Sequence, residues 1–225
     1  LLASSAASDV YKRQHEDIGV VFDTVKFPDT LTACDLNKIM AGIYKNWDED
    51  EFVGYCARFA LPIDKKFAKF SRGMTMKLSL AAAFSHKAKL LILDEPTGGL
   101  DPAARNEILD IIQEFVCDEE HTVLFSSHIT GDLERITDRI VFIRGGRIIF
   151  SEDTIELSET RAVAKFGEED IPRISPEEYT GLRKTPFGCE ALVTDRRAFA
   201  EKYPDIMLCN ASVEDIIVFS SRGVK

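Results

Sequence analysis

The run Leu90-Leu-Ile-Leu-Asp-Glu-Pro-Thr-Gly-Gly-Leu-Asp-Pro102 sets the tightest limit on what this chain can fold into. Its first four residues are apolar without alternation, so as a strand they call for cover on both faces, the condition of a strand inside a parallel sheet. Asp94 and Glu95 close that strand, and Gly98-Gly99 supplies a turn before the next helix. Ile18–Phe22 and Thr122–Ser126 read as companion strands. Between them, Thr32 with Asp35 opens a helix carrying Leu36, Ile39, Met40 and Ile43 on one face. Asp48 with Glu51 opens a second, striped by Phe52, Cys56 and Phe59 and ending before Pro62. A third runs from Ser71 to about Ser85, and a fourth from Ala103 to Cys117. Strands separated by helices place the chain in the α/β class.

Further on, Arg139–Arg144 and Arg147–Ser151 flank Gly145-Gly146, the signature of a tight hairpin. This hairpin is expected to close a first domain over 15–151, with a helical subdomain at about 31–85. Residues 152–178, acidic and holding Pro172 and Pro176, read as a helix followed by a linker. Residues 179–225 read as a small C-terminal α+β accessory domain, strand-helix-strand-helix from Cys189, its last helix capped by Ser212. The opening LLASSAASDVYKRQ, residues 1–14, has no helical or strand period and no long apolar centre. It reads as an artefactual or disordered leader: either a translated linker scar or a naturally frayed terminus.

Composition removes several function classes. With 28 Lys and Arg against 38 Asp and Glu, a net charge of -10, the totals do not carry the phosphate-neutralising surface of a general nucleic-acid binder, and no nucleic-acid partner is expected. The five cysteines are odd in number, scattered and without a Cys-x-x-Cys pair, which suits a reducing cytosol and argues against a structural zinc site. No apolar run approaches the roughly 18 residues of a membrane-spanning helix.

The chemistry lies at the end of the Leu90 strand, where ligands bind in open α/β sheets. Asp94 is placed to hold a magnesium ion, through water, and Glu95 to orient or deprotonate a water that attacks a γ-phosphate. A bare Asp-Glu pair would equally serve as a solvated strand end; the length of the run separates the two readings.

That run resembles the ATP-binding cassette (ABC) ATPases: LLILDEP looks like their Walker B motif and GGLDP like their D-loop. The resemblance implies a signature motif shortly upstream, and Phe70-Ser-Arg-Gly-Met74 stands there, similar to the family's Leu-Ser-Gly-Gly-Gln at Ser71 and Gly73 and departing from it at Arg72 and Met74. A Ser hydroxyl, a Gly and free amides at a helix start suit an anion, although Ser-Arg-Gly alone is also an ordinary N-cap. In the family this motif grips the γ-phosphate bound to the opposite subunit, which assigns nucleotide binding to Ser71, Arg72 and Gly73, and to Asp101 across the dimer interface. His128, after Ser126-Ser127, resembles the switch histidine that contacts the γ-phosphate; a satisfied core or cap histidine is the plain alternative. Ile18-Gly-Val-Val-Phe-Asp23 resembles the Q-loop strand, with Asp23 in place of glutamine. A carboxylate there still suits magnesium or its waters, or is simply a strand-end Asp.

The Gly-rich P-loop ending in Gly-Lys-Ser or Gly-Lys-Thr, which cradles phosphates in such enzymes, occurs nowhere in these 225 residues. Family order puts it before the Q-loop, so the chain reads as an N-terminally truncated cassette. The resemblance is strong over about Ile18 to Ser151 and looser beyond, towards antibiotic- and peptide-exporter ATPases. It implies a P-loop NTPase-like (RecA-like) parallel sheet core with bare strand edges and poor solubility. It implies ATP and Mg2+ as cofactors, and catalysis by Glu95 and His128 with the metal near Asp94 and Asp23. It implies a dimer with a second ABC ATPase subunit, identical or not, and a separate integral membrane permease met by residues 31–70. The implied location is cytoplasmic, peripheral at the inner face of the cell membrane. A hydrolysis-silent partner that only completes another cassette's site is the alternative, against which Glu95 argues. A soluble ABC protein of DNA repair or translation would carry coiled-coil insertions or a second cassette, and neither is present.

Overall fold

A computed structural model describes residues 16–24 and 26–223; the expected leader, 1–14, lies outside the described residues. The chain forms two compact units, dividing between Ile129 and Thr130.

In the first unit, β1 (Ile18–Val21), β2 (Leu90–Asp94) and β3 (Thr122–Ser126) form a parallel sheet in the order β1-β2-β3. Ile18 stands beside Leu90 and Leu90 beside Thr122, so all three strands end together at one edge. Helices α1 (Ala33–Ile43), α2 (Glu49–Arg58), α3 (Arg72–Phe84) and α4 (Pro102–Val116) complete the unit. Each starts where its cap chemistry says it should. Thr32 and Asp35 form a reciprocal capping box on α1, and Asp48 accepts from the Glu51 amide at 2.9 Å at the head of α2. Tyr55, Phe84 and Phe115 stack in sequence with centroids 5.1 and 5.3 Å apart, joining α2, α3 and α4.

Val21, Leu91 and Leu93 are buried on one face of the sheet, as are Leu78 and Ala81 of α3 and Ile108 and Ile112 of α4. The expectation of cover on both faces is corrected on the other side. Val20, Ile92 and Leu124 form one row across the three strands. Val20 is 45% exposed and Leu124 63%, with Phe22 at 60% beyond the end of β1. Among the described residues this face stays open, and an unalternating strand sequence is left half satisfied.

The second unit begins with α5 (Thr130–Ile136), then β4 (Arg139–Arg144) and β5 (Arg147–Asp153) as an antiparallel hairpin. Gly145 and Gly146 turn it with φ of 55° and 73°, the pair of left-handed residues that a tight hairpin needs. Then follow α6 (Thr154–Thr160), β6 (Ala162–Phe166), β7 (Tyr179–Thr185), β8 (Gly188–Val193), α7 (Arg196–Lys202), β9 (Met207–Asn210) and α8 (Val213–Gly223). The four strands make an antiparallel sheet in the order β7-β8-β6-β9. That order is a ferredoxin-like split arrangement, with the first crossover reduced to a 3-10 turn at Glu168–Arg173.

Both faces of this sheet are covered. Ala164, Phe166, Cys189, Ala191 and Val193 pack with Phe199 and Tyr203 of α7. Val163 and Leu192 pack on the opposite face with Ile216 and Phe219 of α8, Leu157 of α6 and Ile140 of the hairpin.

Two expectations from sequence are corrected here. Residues 152–178 are not only helix and linker, because Ala162–Phe166 is a central strand, bonded to β8 on one side and β9 on the other. The hairpin expected to close the first domain instead groups with the second unit: Ile140 is part of the core built by Leu192 and Phe219. The strand Cys189–Val193, the helix after it and the Ser212 cap lie where the sequence puts them. Ser212 and Asp215 bond each other's amides, both at 3.1 Å.

Candidate active site

The parallel register brings the carboxyl ends of β2 and β3 level, so Asp94 stands beside Ser126. The Ser126 hydroxyl donates to Asp94 Oδ1 at 2.7 Å and accepts from the Glu95 amide at 3.1 Å. The Glu95 amide also lies 3.2 Å from the Ser126 carbonyl. Glu95 is held with φ of 48°, a left-handed conformation that is costly for a residue with a side chain and that persists only where neighbours impose it. Here Ser126 fixes its amide, and the Gly98 amide donates to its carbonyl at 3.0 Å. The backbone reversal turns the carboxylate towards His128, whose Nδ1 lies 2.6 Å from Glu95 Oε2. A carboxylate only accepts, so Nδ1 carries the hydrogen.

Three predicted residues, Asp94, Glu95 and His128, thus form one network, and Ser126 is the member that sequence reasoning passed over. Its signal was available: a hydroxyl in the last position of a strand parallel to β2 faces whatever ends β2.

The remaining predicted residues lie on two helix starts and the end of β1. Ser71 caps α3, its hydroxyl accepting from the Met74 amide at 3.2 Å, and Gly73 lies in the first turn. Asp101 caps α4 through the amides of Ala103 and Ala104 at 3.1 and 3.0 Å. These two starts adjoin, since a β-carbon on Gly73 would lie 3.8 Å from Leu100 and 3.9 Å from Ala104. Asp23, at the end of β1, is ion-paired with Arg72. Asp23 and Asp94 are therefore not gathered into a common ligand set, and among the described residues no three His, Cys, Asp or Glu side chains converge as a metal site. The donor chemistry still suits a hard cation at Asp94. Ser126 engages one carboxylate oxygen, and the residue is exposed, which fits Mg2+ held through water.

Comparison with known proteins shows what the chain is similar to. Residues 3–98 match the model of the family described as ABC transporter. Over this segment the chain is similar to the ABC transporter family. The chain is 45% identical over 92 residues to the lantibiotic transport ATP-binding protein SrtF of Streptococcus pyogenes, covering 40% of each chain. It is 31% identical over 163 residues to the bacitracin transport ATP-binding protein BcrA of Enterococcus faecalis, covering 70% of this chain and 51% of that one. The similar ATP-binding protein YdbJ of Bacillus subtilis is 34% identical over 61% of this chain and 46% of its own length. The chain therefore spans about half the length of these curated relatives. Its fold is that of the ATP-binding cassettes. It superposes on the ATP-binding subunit of an ABC transporter with a TM-score of 0.57 at 25% identity, covering 67% of this chain and 64% of that one. A dimeric cassette in a post-hydrolysis state bound to ADP and Pi gives the same TM-score at 18% identity over 65% and 67% of the two chains. No helix among the described residues is long and apolar enough to cross a membrane.

Proposed function

We propose that this chain is the ATP-hydrolysing part of an ABC transporter, a cytoplasmic subunit seated at the inner face of the cell membrane. There it powers a separate integral permease and pairs head to tail with a second cassette. The observation that carries the proposal is the Asp94–Ser126–Glu95–His128 network at the strand ends. Asp94 would hold Mg2+, and the ion would supply charge neutralisation on the phosphates. Glu95 accepts a proton from the attacking water, and His128 fixes the Glu95 carboxylate through Nδ1–H. Ser71, Arg72 and Gly73 at the α3 start, with Asp101, would complete the partner's nucleotide site. The similarity to SrtF and BcrA points to peptide or antibiotic export as the transport class.

The alternative is a hydrolysis-silent half that only completes another cassette's site. It is opposed by Glu95, because a silent half needs no general base. The experiment is steady-state ATP hydrolysis by the gene product read from its own start codon, wild type against Glu95→Gln. A general base contributes about 100- to 10,000-fold, so the variant should lose at least about a hundredfold while retaining bound ATP and the dimer. Turnover near the wild-type rate in the variant overturns the role of Glu95, and a wild type without turnover selects the silent-partner reading.

A further inference from the structure

Asp23 and Arg72 each depart from the family pattern, and the two departures meet. Arg72, the first residue of α3, pairs through Nη2 with the Asp23 carboxylate at the end of β1. The same guanidinium lies against the turn after β2. A β-carbon on Gly99 would stand 3.1 Å from Arg72 Nη1 and 3.3 Å from its Cζ, and one on Gly98 3.7 Å from Nη2. Gly99 also has a φ of 67°, a conformation that favours glycine, and a β-carbon there would require the arginine tip to shift by a few tenths of an ångström.

We propose that Arg72 is a positioning residue which fastens the end of β1, the start of α3 and the Gly98-Gly99 turn into one unit. The turn is one step from the chemistry. The Gly98 amide donates to the Glu95 carbonyl at 3.0 Å and the Leu100 amide lies 3.4 Å from the Thr97 carbonyl, so a displaced turn reaches the strained backbone that aims Glu95. Arg is suited to this and Lys is not, because the planar fork can hold a carboxylate on one edge and lie flat on a peptide. The side chains of Arg72 and Asp23 are 51% and 39% exposed. An ion pair so open to water is weak, and Arg72 can exchange Asp23 for an arriving phosphate without unfolding anything. That last step rests on the nucleotide-binding reading of the α3 start; the link itself does not.

The test is a double-mutant cycle read by amide hydrogen exchange on the full chain without nucleotide. Asp23→Asn should speed exchange at Gly98 and Leu100, more than 70 residues away along the sequence, by about twofold to fivefold. The same change made in an Arg72→Ala background should add nothing further. Amides of β2 serve as the control for an intact fold, and Arg72→Lys, which keeps the charge but loses the fork, is the second background. In it the effect of Asp23→Asn on Gly98 should also fall away. Unchanged exchange at Gly98 in Asp23→Asn, or an equal rise with and without Arg72, overturns the proposal. Because no ATP is present, that failure is separate from a failure of Glu95 in the hydrolysis assay.

Discussion

Cys56 and Cys117 show how differently one residue type behaves within the first unit. Cys56 is fully buried on α2, and desolvation pushes its thiol up to about 11, so at neutral pH it holds almost no thiolate, the reactive form. Cys117 ends α4 in the open, donating to the Gln113 carbonyl at 3.2 Å. An aromatic disulfide reagent at pH 8 should modify Cys117 within minutes and leave Cys56 and the equally buried Cys189 unmodified until denaturant is added. Early labelling of Cys56, found by mass mapping, would show that α2 opens far more readily than its packing implies. Which single residues were legible in the sequence follows the same distinction between local and distant causes. Asp94, Glu95 and His128 could be read because motif spacing fixes them along the chain. Ser126 and the Arg72–Asp23 pair could not, since each depends on contacts 32 and 49 residues apart that only the sheet register and the α3 placement bring about.

At the scale of elements, caps and apolar stripes carried the reading. Helices α1, α2, α3 and α4 start at Thr32, Asp48, Ser71 and Asp101, the residues whose side chains accept the first free amides. β6 was missed because Ala162–Phe166 is short, holds two alanines and sits between acidic segments. Its identity comes from the two strands that flank it, not from its own propensity. β7 was missed for a related reason. It is bent by a bulge at Gly181, where Thr180 faces Leu192 and Leu182 faces Ala191 with one residue left over. Gly181 takes a φ of 67°, and a β-carbon there would stand 2.7 Å from the Phe219 carbonyl. A bulge of this kind uses glycine for its left-handed residue. Gly181→Ala should therefore cost about 1–2 kcal/mol for the backbone alone, with more for the collision against α8. Urea unfolding followed by far-UV circular dichroism measures it, and an unchanged midpoint would mean that the bulge relocates when filled.

For the whole molecule, the two units differ in how their sheets are covered. Among the described residues, the first leaves Val20, Ile92 and Leu124 as an apolar row on an open sheet face, whereas the second covers both faces of its own sheet with α6, α7, α8 and the hairpin. Residues 130–225 expressed alone should thus unfold in one cooperative transition. Their pH response follows from three carboxylates. Lys202 holds Glu178 below the ordinary range, Arg183 does so for Glu190, and Arg173 for Asp205. A carboxyl held low when folded binds its proton more readily when unfolded, so its contribution is whole above the unfolded value and is lost as pH falls through the folded one. The urea midpoint should stay flat between about pH 5 and 8 and drop below about pH 4, where unfolded carboxyls begin to protonate. In the triple variant Glu178→Gln, Glu190→Gln, Asp205→Asn the drop should shrink, because the groups whose protonation differs between the two states have been removed. The Arg173–Asp205 pair is half exposed on both sides and the Lys202 end of its pair is open, so 1 M NaCl should partly flatten the wild-type curve in the same direction, leaving the less exposed Arg183–Glu190 pair least affected. A steep acid transition in the triple variant would move the cause to other carboxylates of the unit, while a broad multi-step transition at neutral pH would show that the second unit needs the first to hold its fold.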